Sequence, residues 1–280
     1  MTCSQHSLER IVEAALAEDL GGRGDVTTLA TVPEDCRARL AVVPREPGVL
    51  AGRAVVEAVY ARLDPGIEIQ WHADDGHTLL SDEPIAHIAG PARAILSGER
   101  VALNFLGRLS GIATLTRRYV DAVAGTRVRI AHTRKTTPGL RALEIEAVLA
   151  GGGAPHRFGL DDAVLIKDNH VALAGGVAGA VRRARAAVGH MTRVAVEIDH
   201  LDQLDEAIEA GADSVLLDNF SPADLRAAVQ RRGDRNITLE ASGGIRLDNV
   251  REIAETGIDV ISIGALTHSV RCLDLGLDTA

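Results

Sequence analysis

Only two of the thirty basic side chains in this sequence are lysines, Lys135 and Lys167; the others are all arginines. Each lysine sits in a dense polar cluster just after an apolar run: His132-Thr133-Arg134-Lys135 and Lys167-Asp168-Asn169-His170. Lysine is a compact ammonium on a flexible stem and arginine is a planar fork, so they do not substitute freely at a reacting centre. With Arg100, Arg134, His156 and Arg157 they form a cationic set in a chain of formal net charge −9. A basic cluster on an acidic background suits small anionic ligands, and the arginine fork suits bidentate contact with carboxylate or phosphate. Taken singly, each arginine reads equally well as a solvated surface charge.

Carboxylates alternate with these cations at the ends of apolar runs: Glu197 and Asp199, Asp218, then Glu240. Glu197 and Asp218 end neighbouring runs and offer oxygen ligands for Mg²⁺, directly or through water. An ion pair with Lys135 or Lys167 is the competing structural reading. Two glycine-rich turns, Ser242-Gly243-Gly244 and Gly264-Ala265, follow the last two apolar runs. Backbone amides in such turns can cradle a phosphate. Gly151-Gly152-Gly153 leads to His156-Arg157 and gives that loop room to approach a ligand.

The elements that must carry these residues fall into two patterns. In the first third, Leu8, Ile11, Val12, Ala15, Leu16 and Leu20 recur at helical spacing, and Gly21-Gly22 ends that helix. Short strand-like runs follow at 38–44, 67–72 and 85–89, with a helical run at 54–63 among them, an α+β layer. A long helical pattern over 97–123, broken near Ser110-Gly111, marks the domain junction. Beyond it, strand candidates at 128–131, 163–166, 194–196, 214–217, 237–239 and 260–263 alternate with helical stretches at 140–150, 177–188, 201–210, 222–231 and 247–256. That rhythm implies parallel βα units, and six such strands fit a closed barrel better than an open sheet. A faint repeat, Glu209-Ala-Gly-Ala-Asp213 and Glu255-Thr-Gly-Ile-Asp259, places a glycine helix stop before each of two strands.

Composition narrows the function. Hydrophobic residues make up 46% of the chain and aromatics 2%, so the core is aliphatic and base-stacking surfaces are disfavoured. The acidic balance argues against nucleic acid and acidic membranes. Cys3, Cys36 and Cys272 are too scattered for a disulfide framework or thiolate zinc site. No secretory signal or membrane-length apolar run is visible, which gives a cytoplasmic expectation. No strand leads into G-x-G-x-x-G, and there is neither G-x-S-x-G nor a persuasive Ser-His-Asp set. A Schiff-base aldolase or sugar-phosphate isomerase could use Lys167, but would leave Arg100, Arg134 and Arg157 without a task.

Longer runs carry a resemblance. Gly24-Asp-Val-Thr-Thr28, Glu99-Arg-Val-Ala-Leu-Asn104, Thr133-Arg-Lys-Thr-Thr-Pro-Gly-Leu-Arg141, Gly151-Gly-Gly153, His156-Arg157 and Leu165-Ile-Lys-Asp-Asn-His170 resemble the quinolinate phosphoribosyltransferase family. So do Leu216-Leu-Asp-Asn219, Glu240-Ala-Ser-Gly-Gly-Ile245 and Ile263-Gly-Ala-Leu-Thr-His-Ser269. The resemblance implies an α/β fold: an N-terminal α/β sandwich domain over 1–109 and an incomplete, open α/β barrel over 110–269, with 270–280 packing back on the first domain. It implies transfer of a phosphoribosyl group from 5-phosphoribosyl-1-pyrophosphate to quinolinate with decarboxylation, Mg²⁺ as cofactor, and a homodimer with shared active sites. Arg100 (from the partner), Arg134, His156 and Arg157 would hold the quinolinate carboxylates. Lys135 and Lys167 would contact phosphoribosyl pyrophosphate or a substrate carboxylate. Glu197 and Asp218 would serve ribose hydroxyls and the metal. Ser242, Gly243, Gly244 and Gly264 would bind the 5-phosphate, and Thr133, Ile263 and Ala265 complete the substrate-binding set. The pattern departs at Ile145-Glu146, where the family has Lys-Tyr, and at Pro155, where it has Asn. A phosphoribosyltransferase for another pyridine carboxylate and a non-catalytic molybdenum-transport accessory relative are the neighbouring readings.

Overall fold

The computed structural model describes Cys3 to Thr279. The chain divides into two compact units. One runs from the N-terminal end through Arg117 and takes in Thr136–Gly152 and the segment from Ala265 onward; the other comprises Arg118–Lys135 and Gly153–Gly264.

In the first unit, α1 (Gln5–Leu20) is capped by the Ser4 hydroxyl, which accepts from the Ser7 amide at 3.2 Å. It ends at Gly21, whose positive φ of 52° favours glycine. Leu8, Val12 and Leu16 form its buried stripe, as their four-residue spacing requires. Asp25 caps α2 (Val26–Thr31), so the Gly24–Thr28 run serves as a helix start. There follow β1 (Arg37–Pro44), β2 (Gly48–Val49), α3 (Arg53–Leu63), β3 (Glu68–Trp71), β4 (Thr78–Leu79), β5 (Ala86–Pro91) and α4 (Ala92–Ala122).

The expected break at Ser110-Gly111 does not occur: α4 passes through it without interruption. Ser110 is fully buried, and its hydroxyl bonds the Ala51 amide at 3.1 Å and the Ala51 carbonyl at 3.3 Å. A Cβ on Gly111 would lie 2.2 Å from the Arg271 carbonyl oxygen. The two small residues make a notch for close backbone approach, which composition alone cannot distinguish from a helix breaker.

In the second unit lie β6 (Arg129–Ala131), β7 (Val164–Ile166), α6 (Asp168–Ala174), α7 (Val177–Ala187), β8 (Val194–Ile198), α8 (Gln203–Glu209), β9 (Ser214–Asp218), α9 (Pro222–Arg232), β10 (Thr238–Ser242), α10 (Val250–Ala254) and β11 (Val260–Ser262). The first unit is completed by α5 (Arg141–Ala150), α11 (Ala265–His268) and β12 (Leu275–Thr279). Its sheet has the order β12-β1-β5-β3 and is antiparallel, with the C-terminal strand β12 on the edge of β1.

The second unit's six strands are parallel in the order β6-β11-β10-β9-β8-β7. The closed barrel expected from strand rhythm is therefore wrong, and the sheet is open. Its β6 edge is occupied: the Ala154 amide donates to the Ile130 carbonyl at 2.7 Å, and Ala131 bridges Ala154. The same loop that carries His156 fills the edge that closure would need.

The faint sequence repeat has a structural meaning. Gly211 and Gly257 have φ of 92° and 89°. Two residues on, Asp213 accepts the Val194 amide at 2.7 Å and Asp259 the Leu239 amide at 2.8 Å, each tying down the start of a neighbouring strand. Arg185 and Arg232 pair with these two aspartates. No described helix is long and apolar enough to cross a membrane.

Candidate active site

Strand register explains why the polar residues meet. Side chains in register on neighbouring parallel strands share a face, and along one strand that face recurs every second residue. Glu197 is in register with Leu216, and Leu216 with Glu240. Two residues further along, Asp218 is in register with Ser242. Glu197, Asp218, Glu240 and Ser242 therefore share one face at the carboxyl ends of β8, β9 and β10, the end where parallel α/β enzymes assemble their sites. Ile263 follows Ile261, which is in register with Ala241, so it falls on the opposite face. It is 2% exposed, and its amide is taken by the Ala131 carbonyl at 3.0 Å. Among the expected substrate-binding residues, Ile263 is thus a core side chain.

Several of the cations gather near the carboxyl end of β7. Arg134, Arg157, Lys167 and His170 line a cavity of about 630 Å³ whose floor is Val164, Leu165 and Ile166. Burial, and then the neighbouring Arg134, push the Arg157 guanidinium below its usual range. The Nε atoms of both arginines are buried without a hydrogen-bond partner. A pair of like charges with unused donors is costly in isolation and is relieved by an anion. Lys135 is exposed, in a turn where its amide donates to the Thr133 hydroxyl at 3.1 Å.

The Lys167 ammonium contacts Glu197, a carboxylate only 9% exposed. The rival ion-pair reading of Glu197 is thus present in the structure, and it gives that carboxylate its charge balance. Asp218 accepts from the Asn219 side-chain amide at 2.7 Å, and Asn219 itself has a φ of 56°, unusual for a residue with a side chain. The neighbouring turn is built on Gly243 and Gly244, with φ of 86° and 62°; a Cβ on Gly243 would lie 2.2 Å from Asn219 Oδ1. Only glycine fits there, as expected of a turn meant to approach a ligand with its backbone.

Among the described residues no three His, Cys, Asp or Glu side chains form a metal cluster. Two carboxylates at neighbouring strand ends, Glu197 and Asp218, fit Mg²⁺ in its common mode, where few protein oxygens act alongside substrate phosphates and water.

Arg100 and Ala265 belong to the first unit, whereas the residues just described belong to the second. The Arg100 side chain is 63% exposed, 3.9 Å from Glu99. The departures from the family pattern have structural roles where the structure gives a contact. Ile145 is a core residue at 3% exposure, and Glu146 accepts the Cys3 amide at 2.5 Å. Pro155 lies in the loop ahead of His156. Two residues that the sequence placed in its polar clusters but gave no role also stand here: His132, fully buried, and Glu240, 7% exposed and 3.3 Å from the His156 ring. Their partners are 24 and 84 residues away, so no local spacing reveals them.

An open parallel α/β sheet with arginines, lysines and carboxylates at its strand ends defines an enzyme framework for anionic small molecules. Models of the N-terminal and C-terminal domains of quinolinate phosphoribosyl transferase match residues 25–110 and 112–278. The carboxylating nicotinate-nucleotide pyrophosphorylase of Mycobacterium leprae is 45% identical, over 99% of this chain and 98% of its own length. The human enzyme of that name is 42% identical over 97% and 91%. The solved nicotinate-nucleotide pyrophosphorylase of Francisella tularensis superposes with a TM-score of 0.95 at 38% identity, over 100% of this chain and 98% of that one. The chain belongs to the quinolinate phosphoribosyltransferase family. The aldolase and molybdenum-accessory readings find no support in these matches.

Proposed function

We propose that this enzyme transfers the phosphoribosyl group of 5-phosphoribosyl-1-pyrophosphate to quinolinate, releasing pyrophosphate and CO2 and forming nicotinate mononucleotide for NAD synthesis. The observation that carries this reading is the Arg134–Arg157 pair, two guanidiniums with unused buried donors over one cavity. Quinolinate is a small planar dianion and suits two such forks.

Arg134, Arg157 and His156 hold the two carboxylates, with Arg100 contributed by a second copy of the chain in a homodimer. Lys135 and Lys167 face the phosphoribosyl donor, and the Gly243-Gly244 turn with Ser242 and Gly264 takes the 5-phosphate. Glu197 and Asp218 would hold Mg²⁺ together with substrate oxygens, and the ion would supply charge neutralisation for a leaving pyrophosphate. As the bond from ribose C1 to pyrophosphate loosens, positive charge grows on the ribose, and the Glu197 and Asp218 carboxylates offset it. The pyridine nitrogen then bonds to C1. The resulting cationic ring stabilises the electron pair left on the adjacent carbon as CO2 departs, and a proton takes its place. Holding two anionic substrates together is a large part of the rate enhancement.

The test is product formation from quinolinate, phosphoribosyl pyrophosphate and Mg²⁺, with nicotinate as the paired substrate. CO2 and nicotinate mononucleotide from quinolinate, with nicotinate left unreacted, is the expected result. Turnover of nicotinate in place of quinolinate would move the reading to another pyridine-carboxylate transferase.

A further inference from the structure

We propose that Glu240 and His132 are positioning residues that fix the imidazole of His156 for ligand binding, an inference that rests on the site reading above. His132 accepts the His156 backbone amide on Nε2 at 2.9 Å. Using Nε2 as an acceptor leaves the ring proton on Nδ1, which lies 3.2 Å from the Thr133 carbonyl and donates to it. One fully buried ring thereby ties the loop bearing His156 to the residue just before Arg134. The rings of His132 and His156 also meet edge-on, 6.3 Å between centroids.

Glu240 holds the other end. Its carboxylate lies 3.3 Å from His156 Nε2. It lies on the same strand face as Glu197, one residue pair before Ser242. A lone carboxylate on that face would repel an anionic ligand, and contact with an imidazole Nε2–H gives it a partner. With Nε2 engaged, the ring's remaining nitrogen, Nδ1, is buried and has no hydrogen-bond partner. Buried polar atoms left open in this way are the ones a ligand satisfies. The loop amide and one ring nitrogen are therefore held by protein, and Nδ1 is left for the ligand; it donates to a substrate carboxylate when the ring carries both protons, the form that the Glu240 carboxylate at Nε2 favours.

Quinolinate binding to the purified full-length protein, measured by calorimetry, tests this through a double-mutant cycle of Glu240→Ala and His156→Ala. Glu240→Ala is expected to weaken quinolinate binding about tenfold, the scale of one charge-assisted hydrogen bond. Glu240→Gln keeps an acceptor for Nε2–H and should restore most of the affinity. The double variant should bind no more weakly than His156→Ala alone, because Glu240 acts through that ring. In steady-state assays KM for quinolinate should rise while KM for phosphoribosyl pyrophosphate stays unchanged. His132→Gln should give the same split if it folds. Wild-type affinity in Glu240→Ala, losses that multiply in the double variant, or equal rises in both KM values would overturn the proposal. A wild-type protein that binds nicotinate in place of quinolinate would sink the functional reading alone, and the same cycle run with nicotinate would still decide the positioning role. A protein that binds no pyridine carboxylate would overturn both.

Discussion

Arg134 and Arg157 line the same cavity, and neither Nε has a protein partner there. Burial and then the neighbouring Arg134 hold the Arg157 guanidinium below its usual range, and an anionic ligand between the two arginines would relieve that cost. What they supply is geometry as well as charge. Replacing Arg157 with lysine keeps the charge and removes the fork. Losing one charge-assisted hydrogen bond costs about 1.5–3 kcal/mol, so KM for quinolinate should rise roughly ten- to hundredfold in Arg157→Lys while the melting temperature holds. An unchanged KM would remove Arg157 from the carboxylate site. Lys167 differs from these two because it already has a counter-ion in Glu197. That ion pair is half exposed on the lysine side and adds little stability by itself, which suits a cation available to a ligand.

At the scale of elements, the sequence showed most of what periodicity can show. Helix α1 and its glycine stop, and all six parallel strands, were readable because each depends on neighbours within a few residues. The sequence placed Glu197, Asp218, Glu240 and Ser242 at strand ends, but that they share one face, and that Ile263 lies on the other, follows from the strand register. What was not legible depended on distant chain. Closure of the sheet was decided by Ala154 on the β6 edge, and the Ser110-Gly111 notch by a carbonyl at Arg271. That notch gives a test. Glycine to alanine in a helix interior normally gains about 1 kcal/mol. At Gly111 the new Cβ would overlap a backbone oxygen that cannot swing aside, and overpacking costs about 1–3 kcal/mol. Gly111→Ala should therefore lower the melting temperature, and a rise would show that the notch relaxes freely. A second test concerns β3 and β5, whose register brings His87 beside the end of β3. His72 Nε2 and His87 Nδ1 share one proton at 2.7 Å. Burial, then Arg39, then His72 hold His87 below its ordinary value of 6.5. With a depressed folded value the unfolded chain binds the proton first, so the His87 contribution is intact above 6.5 and lost as pH falls from there toward the folded His87 value. The wild-type melting temperature should fall more steeply across that window than that of His87→Gln. Parallel curves would mean that His87 carries no pH-dependent stability.

The whole molecule poses a question about copies. Arg100 is largely exposed and lies in the first unit, while the cavity residues lie in the second. Large apolar side chains stand exposed beside that cavity: Leu160 at 75% and Leu173 at 90%. The proposed homodimer, in which each Arg100 serves the other subunit, would give both the exposed arginine and these leucines a partner. If that is so, two separately inactive variants should rescue one another. Arg100→Ala lacks the arginine it lends, and Lys135→Ala lacks the lysine its own site needs. A mixed dimer then has one site with both substitutions and one with neither. When the two variants are unfolded and refolded together at equal amounts, half the dimers should be mixed, and activity should return to roughly a quarter of wild type. Refolding each variant alone should return none. If Arg100 instead serves the site of its own subunit, every site in the mixture carries one defect. The refolded sample would then be as inactive as its parents, and the sharing of sites between subunits would be ruled out.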